Sequence, residues 1–258
     1  MKILIGIVVV ILLGLGGYLY FSKGSEVVSP EIAKIRQAGV LVVATDATYP
    51  PLEYMDKKGK IVGFDVDLAN EIARGLGVTA QIKNVSFDKI FDVLEAGDVD
   101  VIISSVTITA ERQKEMLFST PYLNAGQILV VASDSSIAEV NDLKGKTVGV
   151  QADTTSQKEA LKYTEKSLVK SYADYTLAER DLIAGKIQAI VVDYPAGVEM
   201  AKNSKGQLKV VGKPFTSEFY GVAVAKGRNG LLSAIDGVIA SLKKTGRLSQ
   251  LENLWFKR

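Results

Sequence analysis

The sequence predicts an α/β protein, a mostly parallel β-sheet architecture covered by helices. Two observations point there. Short apolar runs alternate with segments whose apolar residues recur at helical spacing, which is the pattern of parallel strands joined by crossover helices. The alternation also repeats. Leu94-Glu95-Ala96-Gly97 precedes an apolar run ending at Ser104-Ser105, and Leu182-Ile183-Ala184-Gly185 precedes one ending at Val192-Asp193. In each copy a helix closes at glycine, a strand starts at once, and a polar residue stands at the strand's C-terminal end. Such units are common in α/β proteins; they are also what two similar lobes look like.

Each element has its own signal. Residues 40–45 are an apolar run followed by polar residues and Pro50-Pro51, which reads as a buried strand running into a loop. Residues 53–62 read as a hairpin turning at Lys57-Lys58-Gly59. Leu68, Ala69, Ile72, Ala73 and Leu76 share one helical face, and Gly77 ends that helix. Phe87, Ile90, Phe91 and Leu94 make a second helical face with Ser86 as its N-cap. Residues 99–103, 127–132, 146–150, 168–171 and 187–192 read as strands. A helix starts near Thr154 and another covers 177–185. Residues 220–225 form a last strand. Leu231, Leu232, Ile235, Val238, Ile239 and Leu242 define a long helix, and Leu248, Leu251, Leu254 and Trp255 a final one. Gly145-Lys146-Thr147 resembles the end of a phosphate-binding loop, but Val140 stands where that motif needs glycine, so it reads as a turn.

Composition excludes several chemistries. The 258 residues include no Cys and no His. There is no disulfide, no thiol nucleophile, no Ser-His-Asp triad and no Cys/His zinc site. Acid-base work would fall to Asp, Glu, Lys or Tyr. Lys plus Arg number 31 and Asp plus Glu 29, so no charge excess points to nucleic acid. Residues 3–21 carry no charge, and as a helix they would span about 28 Å, close to a bilayer core. The run ends in Tyr18-Leu19-Tyr20-Phe21 without a small-x-small cleavage site. It is therefore read as an uncleaved signal anchor, a transmembrane helix over 1–24, rather than a cleaved signal peptide. Residues 25–34 read as a linker. The body is expected outside the cytoplasm.

In parallel α/β sheets, ligands bind beyond the carboxyl ends of the strands. The polar residues at those ends are Asp46, Ser104, Ser105, Gln151 and Asp193. Several ordered motifs around them resemble a known family. Thr45-Asp46-Ala47-Thr48-Tyr49-Pro50-Pro51, Gly63-Phe64-Asp65-Val66-Asp67-Leu68-Ala69, the stretch Ser105-Val106-Thr107-Ile108-Thr109-Ala110-Glu111-Arg112-Gln113-Lys114 continuing to Phe118-Ser119-Thr120-Pro121-Tyr122, Asp142 to Gln151, and Leu254-Trp255-Phe256 occur in family order and spacing. They resemble the extracytoplasmic amino-acid-binding proteins of ABC importers, solute-binding protein family 3. The resemblance covers residues 35–256.

The resemblance implies a two-lobe, periplasmic-binding-protein-like fold with a two-strand hinge. One lobe would hold residues 35–125 plus 221–258 and the other 126–220. It implies a monomer that captures a free L-amino acid and delivers it to a membrane permease, with no cofactor, no metal and no nucleic acid. Arg112 would grip the α-carboxylate. Backbone N–H groups near Thr107 and Thr155, with their hydroxyls and with Thr154 at the same loop-helix junction, would complete the anion site. Asp193 would pair with the α-ammonium, helped by Ser105. Asp46 and Gln151 would meet the ligand side chain, with Tyr49 and Phe87 sandwiching it. One acid plus two aromatics favours arginine or lysine first and glutamine second.

The residue-level alternatives stay open at this point. Phe87 reads equally as core, Thr107 as an N-cap, and Asp193 as a cap of the helix ahead of Pro195. Leu52 stands where the family usually has Phe. Asp153 replaces a common glycine, adding a charge that either favours a cationic ligand or faces solvent. The alternatives in function are a cyclohexadienyl-dehydratase-like enzyme on the same fold, and a ligand-sensing domain.

Overall fold

The computed structural model describes residues 29–256. The apolar N-terminal run and its anchor reading lie outside the described residues. Among the described residues, no helix is long and apolar enough to cross a membrane. The chain begins with a helix, α1 (Pro30–Ala38), capped by the Ser29 hydroxyl. Residues 30–34, expected as linker, are therefore helical. Proline at the first helical position and Ser29 before it are ordinary helix-start chemistry.

Two five-stranded sheets follow, and they share one plan. The first has the order β5-β1-β6-β15-β7, where β1 is Val40–Thr45, β5 Thr79–Asn84, β6 Val101–Ile102, β7 Met116–Phe118 and β15 Ala223–Ala225. The second has the order β11-β10-β12-β9-β13, where β9 is Gln127–Ala132, β10 Val148–Gln151, β11 Val169–Tyr172, β12 Ala189–Asp193 and β13 Leu208–Val211. In each sheet the first three strands are parallel, and the fourth, β15 or β9, runs antiparallel to both of its neighbours. The strand at 127–132 is thus the reversed strand of its sheet. The fold is the two-lobe α/β arrangement that the motifs imply.

The internal repeat is structural. After Leu94, Gly97 takes φ +78° and its N–H bonds to the Leu94 carbonyl at 3.1 Å, while Asp98 N–H reaches Val93 at 3.0 Å. After Leu182, Gly185 takes φ +69°, bonding to Leu182 at 3.0 Å, and Lys186 reaches Asp181 at 2.9 Å. Both turns are the same left-handed stop, which leads directly into β6 and β12.

The chain crosses between lobes twice. The crossings β8 (Leu123–Asn124) and β14 (Phe219–Tyr220) pair antiparallel as a two-stranded hinge. The expected strand over 220–225 is therefore two pieces, one in the hinge and one in the first sheet. Residues 53–62 do form a hairpin, β3 (Glu53–Met55) on β4 (Ile61–Val62). Helix α2 (Phe64–Leu76) packs its face Phe64, Leu68, Ala69, Ile72 and Ala73 into the main core. Leu52 is fully buried in that core, so its exchange for Phe is a change of packing. Ser86 caps nothing; its hydroxyl goes to the Asp88 carboxylate at 2.5 Å, and a 3-10 turn, Phe87–Lys89, precedes helix α3 (Ile90–Glu95).

The Gly63-Phe64-Asp65 motif has a steric cause. Gly63 takes φ +140°, and a Cβ there would stand 2.1 Å from the Leu52 carbonyl oxygen. Gly77, at the end of α2, takes φ +82° but faces open space. Gly63→Ala is expected to lose more than about 3 kcal/mol, since backbone must move. Gly77→Ala is expected to lose about 1 kcal/mol from the left-handed backbone alone. Denaturant unfolding of the two variants measures the difference, and equal losses would contradict it.

Candidate functional site

The carboxyl ends of β1, β6, β10 and β12 face one cavity between the lobes, with about 380 Å³ of empty space. The structure brings all eleven residues singled out by sequence to its wall: Asp46, Tyr49, Phe87, Ser104, Ser105, Thr107, Arg112, Gln151, Thr154, Thr155 and Asp193. Three more, Glu53, Ser156 and Tyr175, line it as well.

At one end sits Asp193, the last residue of the buried strand β12. Its Oδ2 accepts from the Tyr49 hydroxyl at 2.9 Å and from the Tyr220 hydroxyl at 2.5 Å. Its Oδ1 is buried without a partner. It caps no helix. Tyr49 stacks on Tyr175, with centroids 5.3 Å apart. Tyr49 and Phe87 both line the cavity and each packs on a different ring neighbour. Phe87 meets Phe91 edge-on, and the Arg112 guanidinium lies 5.6 Å and 5.1 Å from these two ring centroids. Phe87 serves core and cavity together, since it also packs with Ile90, Leu94 and Val106.

Arg112 opens the short helix α4 (Arg112–Glu115). Its Nη1 donates to the Thr107 carbonyl at 2.9 Å and its Nη2 to the Asp153 carbonyl, on the other lobe, at 3.3 Å. Asp153 takes φ +61°, as the glycine it replaces would, and is exposed. Its carboxylate therefore faces solvent, and the residue serves the site through its backbone. Thr154 caps helix α5 (Thr155–Ala160), where the first amides of the helix lack intrahelical partners.

The hydroxyls of Thr107 and Thr155 behave differently from expectation. Both donate to Glu218 Oε2, at 2.9 Å and 2.7 Å. A hydroxyl has one proton, so neither has one left for an anion in the cavity. Thr107 is also no N-cap; it forms an antiparallel bridge with Tyr220.

At the opposite end, Asp46 Oδ2 accepts from the Phe87 N–H and from Gln151 Nε2 across the lobes, both at 3.1 Å, while Oδ1 accepts from Thr48 at 2.9 Å. Ser104 and Ser105 form the floor. Their hydroxyls donate to the two Glu53 oxygens, each at 3.1 Å. Behind them Asp65 Oδ2 accepts from the Ser105 N–H at 2.6 Å and the Tyr122 hydroxyl at 2.8 Å. Ser105 has φ +52°, a left-handed conformation that a serine holds only when its surroundings fix it. Sequence reasoning passed over Glu53, Asp65, Tyr175, Glu218 and Tyr220. Only Asp65 had a signal, its place in the Gly63-Phe64-Asp65 motif.

The family profile of the bacterial extracellular solute-binding proteins, family 3, matches residues 41–258. The chain belongs to this family. The family is extracellular, which places this protein outside the cytoplasm. The L-cystine-binding protein TcyJ of Escherichia coli K12 is 37% identical over 225 residues, covering 86% of this chain and 85% of its own. An ancestral arginine-binding protein has been solved with arginine, at 41% identity and TM-score 0.80, covering 84% of this chain and 98% of that one. Its structure with glutamine gives 40% identity and TM-score 0.81, covering 85% and 99%. The arginine-, lysine-, histidine-binding protein ArtJ of Geobacillus stearothermophilus is 36% identical with TM-score 0.80, covering 84% and 95%.

Among the described residues of this solute-binding protein, no group of three or more acidic side chains is placed to hold a metal. The acids are instead shifted by burial. Asp193 is pushed up to about 7, first by burial and then by the charge of Glu218. Burial also raises Asp46. Glu53 and Asp65 lie together out of water; burial and, for Glu53, the neighbouring Asp65 charge raise both, Asp65 to about 6.

A carboxyl whose folded pKa exceeds its unfolded value binds its proton more tightly when folded, so raising the pH disfavours folding. The window runs from the unfolded value of 3.8 up to about 6 for Asp65 and about 7 for Asp193. Asp142 and Asp181 are shifted downward by hydrogen bonds. Their contribution is complete once the pH is above the ordinary carboxylate range, so it does not offset the slope. Without ligand, stability is expected to fall between about pH 5 and 7, by up to about 1.4 kcal/mol per pH unit for each titrating group. Unfolding measured across that interval checks this; stability that rises with pH would overturn it.

Proposed function

We propose that this protein is the substrate-binding component of an amino-acid ABC importer, capturing one polar L-amino acid between its lobes. The observation behind this is the cavity's polarity. Asp193 offers a buried carboxylate oxygen with no partner, and Arg112 offers a guanidinium at the neighbouring lobe junction. An α-ammonium would pair with the first and an α-carboxylate with the second. Of the guanidinium's five N–H groups, two serve the Thr107 and Asp153 carbonyls, and the others would turn to the ligand. The anion site would be completed by backbone amides at Thr107 and the start of α5.

For the ligand side chain we retain arginine or lysine as first choice and glutamine as second, with Asp46 and Gln151 as its contacts. Relatives solved with arginine and with glutamine, and an arginine-, lysine-, histidine-binding relative, support these candidates, and the cystine-binding relative adds cystine as a further one. One lobe would comprise residues 35–125 plus 221–258 and the other 126–220. Binding would be without catalysis or cofactor, by a monomer held at the outer membrane face by residues 1–24, which hands its ligand to a permease.

Calorimetry on the protein tests this against the twenty amino acids, cystine, and the dehydratase substrates prephenate and arogenate. Micromolar or tighter binding of one or a few polar amino acids is expected, with Arg112→Ala weakening it at least about 100-fold. No amino-acid binding, or turnover of prephenate, would sink the proposal. Asp46→Asn separates ligands: affinity for arginine or lysine is expected to drop by about tenfold more than affinity for glutamine. An unchanged arginine affinity would remove Asp46 from the side-chain site.

A further inference from the structure

Glu218 sits where the chain returns between the lobes, immediately before hinge strand β14. Its backbone carbonyl accepts from the Ala125 N–H, just after hinge strand β8, at 2.8 Å. Its side chain is 9% exposed. One carboxylate oxygen, Oε2, accepts from Thr107 on the first lobe and from Thr155 on the second. The other, Oε1, accepts from Thr216 of its own segment at 3.2 Å. Thr107 and Thr155 line the inner cavity, while Glu218 lies behind them, in a groove that opens on the outer face of the hinge.

We propose that Glu218 is the hinge latch of this protein: its carboxylate draws Thr107 and Thr155 together, and so sets ligand affinity through lobe closure without touching the ligand. A single anionic oxygen shared by two hydroxyl donors has strong, charge-assisted bonds to both. Those bonds exist only while the two threonines lie within reach of one atom, which is the closed arrangement. Closure is thereby biased before any ligand enters, and the fraction of closed, competent protein multiplies the affinity of every ligand alike. Holding both hydroxyl protons away from the cavity also leaves the backbone amides there as the anion donors.

The affinity half of this inference rests on the amino-acid-binding reading; the closure half does not. Spin or fluorescent labels on the two lobes report their separation in the ligand-free protein, and calorimetry reports affinity. Glu218→Ala is expected to widen the ligand-free lobe separation and to weaken every bound amino acid by a similar factor of about tenfold or more, mostly through faster release. Glu218→Gln keeps an oxygen for both threonines but loses the charge, and is expected to fall between the wild type and Glu218→Ala in closure and affinity. Thr155→Val should resemble Glu218→Ala, and the double variant should be no worse than either single one. Far-ultraviolet circular dichroism and thermal unfolding confirm that each variant is folded. Unchanged lobe separation in folded Glu218→Ala overturns the latch. If the wild-type protein binds no amino acid, the functional reading fails, and the lobe-separation measurement still decides the latch.

Discussion

The site depends on a carboxylate taken out of water and left half-paired. Asp193 ends a strand buried along its whole length, and Tyr49 and Tyr220 each donate to the same oxygen. An unpaired buried acceptor costs about 1–3 kcal/mol, and a buried anion more. The fold tolerates this because two sheets rigidly place the strand end, and because Tyr49 is itself held by stacking on Tyr175. The two tyrosines come from different parts of the chain, one near the start of the first lobe and one on the hinge. Closing the lobes is therefore what assembles the environment of Asp193. In the proposed binding mode, the ligand's ammonium would supply the missing partner, and the stored penalty would become selectivity for ligands that carry one.

The same logic extends to the floor. Glu53 and Asp65 are both fully out of water and adjacent, with no Lys or Arg among their bonded partners. Two carboxylates so placed cannot both ionise cheaply, and sharing one proton relieves the repulsion. Two serine hydroxyls, one backbone amide and a tyrosine serve both Glu53 oxygens and Asp65 Oδ2, while Asp65 Oδ1 is buried without a donor. Their joint grip holds Ser105 in its left-handed conformation, and so fixes the loop that leads from β6 to Thr107 and Arg112. A hydrophobic pair in place of the dyad would pack as well, but it would offer nothing to orient that loop.

The parts of this arrangement legible in sequence are those written locally. The repeated helix-glycine-strand unit marked β6 and β12, and strand-end position alone marked Asp46, Ser104, Ser105, Gln151 and Asp193. Arg112 stood out only through its motif, because nothing in a surface-like Ala110-Glu111-Arg112 sequence shows that the guanidinium will lie over Phe87 and Phe91. What was not legible is long-range. Glu218 is 111 residues from Thr107 and 63 from Thr155, and no periodicity links them. The strand at Leu208–Val211 leaves little signal because its residues are mostly half-buried at a sheet edge, which blunts the alternation that marks a strand. The hydroxyl assignments failed for a related reason: a threonine at a loop-helix junction reads as an anion donor until a distant acid claims its proton.

The missing histidine acquires a different meaning from this electrostatics. Composition alone suggests a protein with nothing to titrate near neutrality, since imidazole is the one side chain whose unperturbed pKa lies there. Burial supplies such groups anyway: Asp193 reaches about 7 and Asp65 about 6. The two differ in what can change them. Asp65 is fully buried behind Ser105 and does not line the cavity. Asp193 lines the cavity, so an incoming ammonium would favour its ionised form and expel its proton. Ligand capture at a pH below that of Asp193 would then release a proton, and affinity would weaken as the medium turns acid. A chain without imidazole could in this way still couple binding to pH, through a buried carboxylate whose counter-charge would be the ligand itself.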